Sequence, residues 1–232
     1  MLPMRFVRHV ADLFYPRLCV ACQAPLLLHE QIVCLRCRIA LPRTDFGLYP
    51  DNPVARKFWG KIPVEGAVAM LHFHKGSKVQ SMMHALKYHQ RKDVGILLGQ
   101  LLGYYLHQHH LFTRADYISI VPLHANKLRL RGYNQCAVIG AGLSEVLKIP
   151  LLEDLIERTT FTSTQTKKSR IERWNNVKDV FTVHAPERVH HKHVLLIDDV
   201  ITTGSTLEAC ASHLIALPNT KVSIAAVAYA ES

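Results

Sequence analysis

The stretch HVLLIDDVITTGST, residues 193–206, decides how this chain folds. After His193 it contains four apolar residues at 194–197, a run too short for a helix and rich in strand-forming side chains. Such a run is typical of a strand that is covered on both faces of a parallel sheet. Asp198 and Asp199 follow at once. Because ionised carboxylates are costly in a core, we expect them at the carboxyl end of the strand, where open α/β sheets bind ligands.

A turn rich in hydroxyl groups follows the acid pair and leads into a helix. The turn consists of Thr202, Thr203, Gly204, Ser205 and Thr206, and apolar residues then recur at helical spacing. A helix N-terminus behind such a turn offers amides, hydroxyls and the positive end of the helix dipole to an anion. Carboxylates accept hydrogen bonds from a vicinal diol or hold a metal ion. The stretch therefore predicts a site for a phosphorylated ribose.

Two other interpretations of this stretch remain. An apolar run that ends in Asp-Asp is also typical of the Walker B strand of nucleotide-binding proteins, but the chain contains no GxxxxGK[ST] loop to accompany it. The acid pair could instead belong to a solvated turn without function. We favour the ligand site, since strand, acid pair, turn and helix occur in the order that phosphate binding requires.

Length, composition and charge bound what else the chain contains. A chain of 232 residues can bury one substantial core and carry a small appendage. The N-terminus lacks the small-residue cleavage site of a signal peptide, and the most apolar segment, residues 94–106, is shorter than the ~20 residues of a membrane span. We therefore expect a cytoplasmic protein without membrane insertion. The net charge of +10 makes polyanions plausible partners without choosing among them.

Two CxxC pairs stand near the N-terminus with eleven residues between them: Cys19 and Cys22, then Cys34 and Cys37. Two pairs at this spacing can give four thiolates to one tetrahedral Zn²⁺ ion, as in zinc ribbons. Disulfides are the alternative, which a reducing cytoplasm disfavours. Four cysteines fill the coordination sphere, so we expect a structural zinc whose binding supplies the folding energy of a module too small for a core.

The rest of the chain divides at a stretch rich in proline and glycine. We expect a lead-in helix and the zinc module in residues 1–42, a linker in residues 43–63, and the main domain in residues 64–232. Phe58 and Trp59 are the aromatic residues that we expect to pack the linker against the main domain.

The main domain alternates strand and helix patterns. Besides the opening stretch, strands are expected at residues 66–74, 117–121, 151–156, 180–183 and 221–229. Helices are expected at residues 79–86, 94–105 and 136–148, and Gly99 and Gly103 should let the second of them pack closely. This alternation predicts an α/β fold with an open, mainly parallel sheet flanked by helices.

A basic segment follows the strand expected at residues 117–121. It contains His124, Lys127, Arg129 and Arg131 and leads into a helix. A basic loop between a strand and a helix is a second candidate anion site, and an ordinary basic surface loop is the alternative. Further along, residues 159–178 nearly lack apolar side chains, and so long a loop indicates either function or disorder.

Residues 197–206, IDDVITTGST, resemble the phosphoribosyl-pyrophosphate signature of type I phosphoribosyltransferases. Further segments resemble one branch of that fold, the ComF family of competence-associated, phosphoribosyltransferase-like proteins. They are LFYP at 13–16, both CxxC pairs, LKY at 86–88, VPLH at 121–124, RGYNQ at 131–135, and TQ at 164–165 with Arg170, Arg173 and Asn176. The resemblance covers nearly the whole chain. It implies a type I phosphoribosyltransferase-like sheet with a small N-terminal zinc ribbon.

The resemblance also implies a role for each segment. The turn at residues 202–206 would hold the 5′-phosphate of phosphoribosyl pyrophosphate, with Asp198 and Asp199 on the ribose hydroxyls. The residues that would face the pyrophosphate are Pro122, Leu123, His124, Arg129 and Arg131.

Residues 159–178 correspond, by the same resemblance, to a loop that covers the site. In a transfer reaction its cations, with Arg170 and Arg173 as candidates, would neutralise the leaving pyrophosphate. Mg²⁺ would arrive with the ligand, mostly through phosphate oxygens and water.

Three functions remain open. The first is a phosphoribosyl-pyrophosphate-binding protein of DNA uptake, with single-stranded DNA and a competence helicase as partners. The second is an active phosphoribosyltransferase of nucleotide salvage or biosynthesis with an unidentified acceptor. By the same resemblance, base specificity would come from a hood outside the sheet, and we see no nucleobase pocket in residues 43–113 or in the zinc module. The third is a scaffold that binds no ligand.

Overall fold

A computed structural model describes residues 16–158 and 180–231. Its helices and strands in chain order are α1 (Leu35–Ile39), β1 (Gly66–Phe73), α2 (Lys78–Tyr88), α3 (Lys92–His107), α4 (His110–Thr113), β2 (Tyr117–Ile120), α5 (Ala125–Arg131), α6 (Gln135–Leu147), β3 (Leu151–Leu152), β4 (Ile156–Arg158), β5 (Phe181–Val183), β6 (His193–Ile201), α7 (Ser205–Ile215) and β7 (Lys221–Ala230). The lead-in helix expected before residue 16 and the loop at 159–178, with Arg170 and Arg173, lie outside the described residues.

Five strands form one parallel sheet in the order β1-β7-β6-β2-β3. The strand of the opening stretch, β6, lies at its centre, and residues 194–197 are fully buried because helices cover both faces. The predicted α/β fold with an open parallel sheet is confirmed. Within the described residues, no helix is long and apolar enough to cross a bilayer.

Helices α3 and α6 pack against each other through glycines. A Cβ atom built on Gly99 would lie 2.0 Å from the carbonyl oxygen of Ile139, and one built on Gly103 would lie 2.7 Å from Cβ of Val146. Only the absence of a side chain permits this approach, so the close packing expected at Gly99 and Gly103 is confirmed.

The stretch at residues 43–63 packs on the first strand of the sheet. The Asn52 side chain accepts from the Val54 and Ala55 amides, both at 3.0 Å, and donates to the Ala67 carbonyl in β1 at 3.0 Å. Phe58 is fully buried, as predicted. The expectation for Trp59 is wrong: 55% of it is exposed, since Phe58 already occupies the space against the main domain.

Two further expectations differ from the structure. The strand expected at residues 151–156 is split, because β3 extends the main sheet while β4 pairs antiparallel with β5 in a separate hairpin. The basic segment after β2 contains the short helix α5 rather than only loop. No glycine or proline interrupts residues 125–131, and Gly132, with φ of 76°, then ends the helix.

Candidate functional site

The acid pair lies where the sheet opens. Strand β2 pairs with β6 only as far as Ile120 opposite Ile197, so Asp198 and Asp199 extend past the end of β2. Both side chains are half-buried. The carboxylate oxygen Oδ1 of Asp198 accepts from the Asp199 amide at 2.8 Å and from the Cys136 thiol at 3.4 Å. The pair therefore faces the carboxyl edge of the sheet, where ligands of this fold class bind.

The environment of Asp198 favours its neutral form. Burial, followed by the negative charge of Asp199, raises the pKa of Asp198 to about 7. Burial also raises the pKa of the Cys136 thiol, and both carboxylates add to that effect. Cys136 and Cys210 are buried thiols.

A lysine from a distant helix neutralises the second acid. Nζ of Lys87, on α2, lies 2.6 Å from Oδ2 of Asp199, and the side chains are 22% and 15% exposed. Sequence reasoning missed this contact. The LKY segment at 86–88 was the signal that could have pointed to it, but no local pattern connects that segment to β6.

The neighbours of Lys87 contact two further parts of the site. The Leu86 carbonyl accepts a hydrogen bond from the Tyr133 hydroxyl, just before α6. The guanidinium of Arg131 lies 5.6 Å from the centre of the Tyr88 ring, over its face. The last turn of α2 thus contacts both the acid pair and the basic segment.

The turn after β6 presents donors to solvent. Gly204 has φ of 80°, and the hydroxyls of Thr203 and Ser205 lie 3.1 Å apart. Within the described residues, the amides of Thr206 and Leu207 at the start of α7 have no hydrogen-bond acceptor. Free amides and hydroxyls at the N-terminus of an 11-residue helix form the kind of cradle that binds phosphate.

The Phe58 ring packs against this turn, a contact that the sequence did not indicate. A Cβ atom built on Gly204 would lie 3.3 Å from two carbon atoms of the Phe58 ring. The absence of a side chain and the positive φ angle therefore both specify glycine at this position.

The remaining candidate residues lie on the loop and helix that follow β2. The Val121 amide donates to the Ile197 carbonyl at 3.1 Å, which keeps the start of this loop beside β6. His124 caps α5 through its Nδ1, 3.2 Å from the Asn126 amide. Arg129 is exposed on α5, and Arg131 donates to the Gln135 side chain at 2.7 Å.

A cavity of about 970 Å³ lies beside this site rather than on it. Pro122 and Leu123 contribute to its wall, together with α6 and the β4–β5 hairpin. Neither carboxylate of the acid pair nor any residue of the turn lines it. The candidate ligand site is instead the open edge of the sheet between the acid pair and the turn at residues 202–206.

The acid pair does not fit as a set of direct ligands for Mg²⁺, the ion that the resemblance implies. Asp199 already contacts an ammonium group at 2.6 Å, and Asp198 accepts hydrogen bonds from a thiol and an amide. A divalent ion placed here would be repelled by Lys87, and Mg²⁺ requires near-ideal octahedral oxygen ligation.

The four N-terminal cysteines converge. The sulfur atoms of Cys19, Cys22, Cys34 and Cys37 all lie within 4.8 Å of one another. Cys22 and Cys34 are 3.8 Å apart, which matches the ~3.8 Å edge of a tetrahedron with ~2.3 Å metal–sulfur bonds. The cluster is therefore compatible with structural zinc, which would be held by these four thiolates.

Backbone hydrogen bonds favour the thiolate form of Cys19 in this cluster, whereas burial raises the pKa of the Cys37 thiol. Burial raises the pKa of the Cys19 thiol, but backbone amide donors, the Cys34 amide first, outweigh burial and lower the pKa to about 7. Glu30 braces the loop between the pairs by accepting from the amides of Leu27 at 2.9 Å and Leu35 at 2.6 Å.

Known proteins match this chain over different stretches. A model of the phosphoribosyl transferase domain matches residues 134–232. The DNA utilization protein YhgH of Escherichia coli (strain K12) is 30% identical over 212 residues, covering 86% of this chain and 91% of that protein. Competence protein F of Haemophilus influenzae is 37% identical over 99 residues, 42% of this chain and 43% of that protein.

A solved structure, the glutamine phosphoribosylpyrophosphate amidotransferase from B. subtilis, superposes with a TM-score of 0.44 at 19% identity, over 63% of this chain and 30% of that one. The domain match contains the acid pair and the turn, whereas Lys87 and the cysteine cluster lie outside it.

Proposed function

Because this chain belongs to the ComF family of competence-associated, phosphoribosyltransferase-like proteins, we propose that it binds phosphoribosyl pyrophosphate and acts in DNA uptake. One observation supports this ligand: an acid pair on β6, beyond the end of β2, is followed three residues on by a turn with free amides at the start of α7. A ribose phosphate has hydroxyls for the first and a phosphate for the second.

Equilibrium dialysis with three ligands tests this assignment. We expect phosphoribosyl pyrophosphate to bind more tightly than ribose 5-phosphate, and ribose 5-phosphate more tightly than pyrophosphate, because only the first two reach both the turn and the acid pair. Equal binding of all three would identify a general anion site and would count against the assignment.

Single-stranded DNA is the proposed macromolecular partner. The net charge of +10 and the relatives named for DNA utilization and competence support it. So does the segment at residues 56–61, where Lys57 and Lys61 flank the exposed Trp59, since single strands bind to cations and stacking aromatic rings. A competence helicase, suggested by the family's role, is the proposed protein partner.

Fluorescence anisotropy with a labelled single strand tests the DNA proposal. Phosphate contacts release counterions, so the logarithm of the binding constant should fall linearly with the logarithm of salt concentration. Absence of binding even at low salt would contradict the proposal while leaving the sugar-phosphate site untouched.

Transfer of ribose 5-phosphate to an acceptor is the second candidate function, and the same acid pair and turn favour it. A panel of nucleobases and amines, incubated with phosphoribosyl pyrophosphate and assayed for pyrophosphate release, distinguishes it. Release with one acceptor would establish an enzyme. Binding without release across the panel favours the DNA-uptake role.

A further inference from the structure

The ion pair between Lys87 and Asp199 is shielded from water. With side chains 22% and 15% exposed and 2.6 Å between charged atoms, its attraction is stronger than that of a surface pair, which solvent screens. The ion pair between Lys61 and Glu208 serves as a comparison, with 3.2 Å between the charged atoms and side chains 49% and 33% exposed.

Helix α2 holds Lys87 in this position. Its N-terminus is capped by the Ser77 hydroxyl, which accepts from the Gln80 amide at 3.2 Å. Its last turn is fixed by the fully buried Leu86, whose carbonyl accepts from the Tyr133 hydroxyl. The ammonium group is therefore a built part of the site rather than a mobile surface charge.

Two adjacent carboxylates at a ligand site ordinarily attract a cation. Here a protein cation already contacts Asp199, while the Cys136 thiol and a backbone amide donate to Asp198. We propose that Lys87 takes the place of a divalent cation at this acid pair, so that the chain orients the ribose hydroxyls of phosphoribosyl pyrophosphate without a metal ion on its carboxylates. This inference rests on the proposed function, which supplies phosphoribosyl pyrophosphate as the ligand. The argument that Lys87 occupies the place of a cation at Asp199 does not depend on that ligand.

Mn²⁺ binding, measured by electron paramagnetic resonance on the purified full-length protein, tests the charge argument directly. We expect no Asp199-dependent Mn²⁺ site in the wild type. Lys87→Met removes the charge at similar volume, and this variant should gain one site that the double variant Lys87→Met/Asp199→Asn lacks. Lys61→Met, which removes the more exposed lysine, should gain none.

A Mn²⁺ site in the wild type that Asp199→Asn abolishes would overturn the inference, as would a folded Lys87→Met that gains no site. If Lys87→Met fails to fold, the comparison of wild type with Asp199→Asn still decides, and Lys87→Arg should behave as wild type.

Ligand affinity gives a second readout. Titration of phosphoribosyl pyrophosphate in buffer without Mg²⁺ and without chelator, and in the same buffer with Mg²⁺, should give wild-type affinities within about threefold, a free-energy difference no larger than that of one hydrogen bond. Lys87→Met should lose about tenfold or more in affinity in the Mg²⁺-free buffer, the size of one charge-assisted hydrogen bond. If the wild type binds phosphoribosyl pyrophosphate only in the presence of Mg²⁺, the role proposed for Lys87 is overturned, whereas the proposed ligand is not. Absence of binding in both buffers would overturn the proposed ligand, and the Mn²⁺ measurement would still judge Lys87.

Discussion

Nζ of Lys87 lies 2.6 Å from Oδ2 of Asp199, and this contact joins helix α2 to the ligand edge of the sheet. The phosphoribosyl transferase domain match begins only at Asn134. The charge at the acid pair is therefore set in part by a residue from outside the matched domain, and the N-terminal half of the chain contributes directly to the site.

The turn at residues 202–206 should not tolerate a side chain at Gly204. Gly204→Ala places a Cβ at φ of 80° and 3.3 Å from the Phe58 ring, so we expect a loss of about 1–3 kcal/mol in the free energy of unfolding together with weaker ligand binding. Gly76→Ala is the matched control, since Gly76 has φ of 77° with no atom near its would-be Cβ. Urea denaturation and dialysis measure both effects. Equal ligand affinity in the two variants would contradict the role of the turn.

The raised pKa of Asp198 should appear in the pH dependence of stability. Its folded-state value of about 7 lies above the ~3.9 of an unfolded aspartate, so the folded chain binds the proton more tightly and loses stability as the pH rises between these values. Asp198→Asn should remove this loss, which we expect to be on the order of 2 kcal/mol for a half-buried group. Urea unfolding across that pH range measures it.

Asp116→Asn is the control of opposite sign. The hydrogen bond from the His193 amide, at 2.8 Å, lowers the pKa of Asp116. Its stabilising contribution is therefore present above the unfolded pKa and is lost as the pH falls. Asp116→Asn should be less stable than wild type at neutral pH and should converge with it in acid. If the free energy of unfolding changes with pH at the same slope in Asp198→Asn and Asp116→Asn, Asp198 is not the group responsible for the loss of stability.

The cysteine cluster should hold one zinc ion per chain. Cys22 is exposed, so Cys22→Ser removes a ligand at little packing cost, and zinc measured by mass spectrometry should fall to near zero. Cys210→Ala removes a buried thiol outside the cluster and should leave the zinc content unchanged. Full zinc occupancy in Cys22→Ser would contradict the four-thiolate site.

The exposed ring of Trp59 should contribute to single-strand binding. One stacked base is worth ~1–3 kcal/mol, so Trp59→Ala should weaken binding by about tenfold. Tyr104→Ala removes a comparably exposed ring, 62% against 55%, from α3 and should have little effect. Anisotropy at fixed salt compares the two variants. If they bind alike, the surface around Trp59 is not the DNA site.

The fold could be predicted from the sequence because its signals are local. The apolar run at 194–197 marks a buried strand, and the glycines at 99 and 103 mark a close helix contact, each by its own immediate pattern. The four cysteines converge as their spacing suggested.

Long-range contacts could not be predicted in this way. Lys87 reaches Asp199, and Phe58 reaches Gly204, only because α2 and the stretch at 43–63 pack onto the sheet. Periodicity shows which face of an element is apolar but not which partner that face finds. For the same reason Trp59, next to Phe58, was wrongly expected to pack inward.

The most direct test of the central claim is a calorimetric titration of phosphoribosyl pyrophosphate into the wild type and Asp198→Asn. Asp154→Asn, whose carboxyl is 74% exposed, serves as the control for loss of one acidic group. We expect saturable one-site binding by the wild type and by Asp154→Asn, and an affinity at least about tenfold lower for Asp198→Asn, since the ribose hydroxyls lose a carboxyl oxygen as acceptor. No saturable binding by the wild type, or equal affinities in all three proteins, would contradict the assignment of this site.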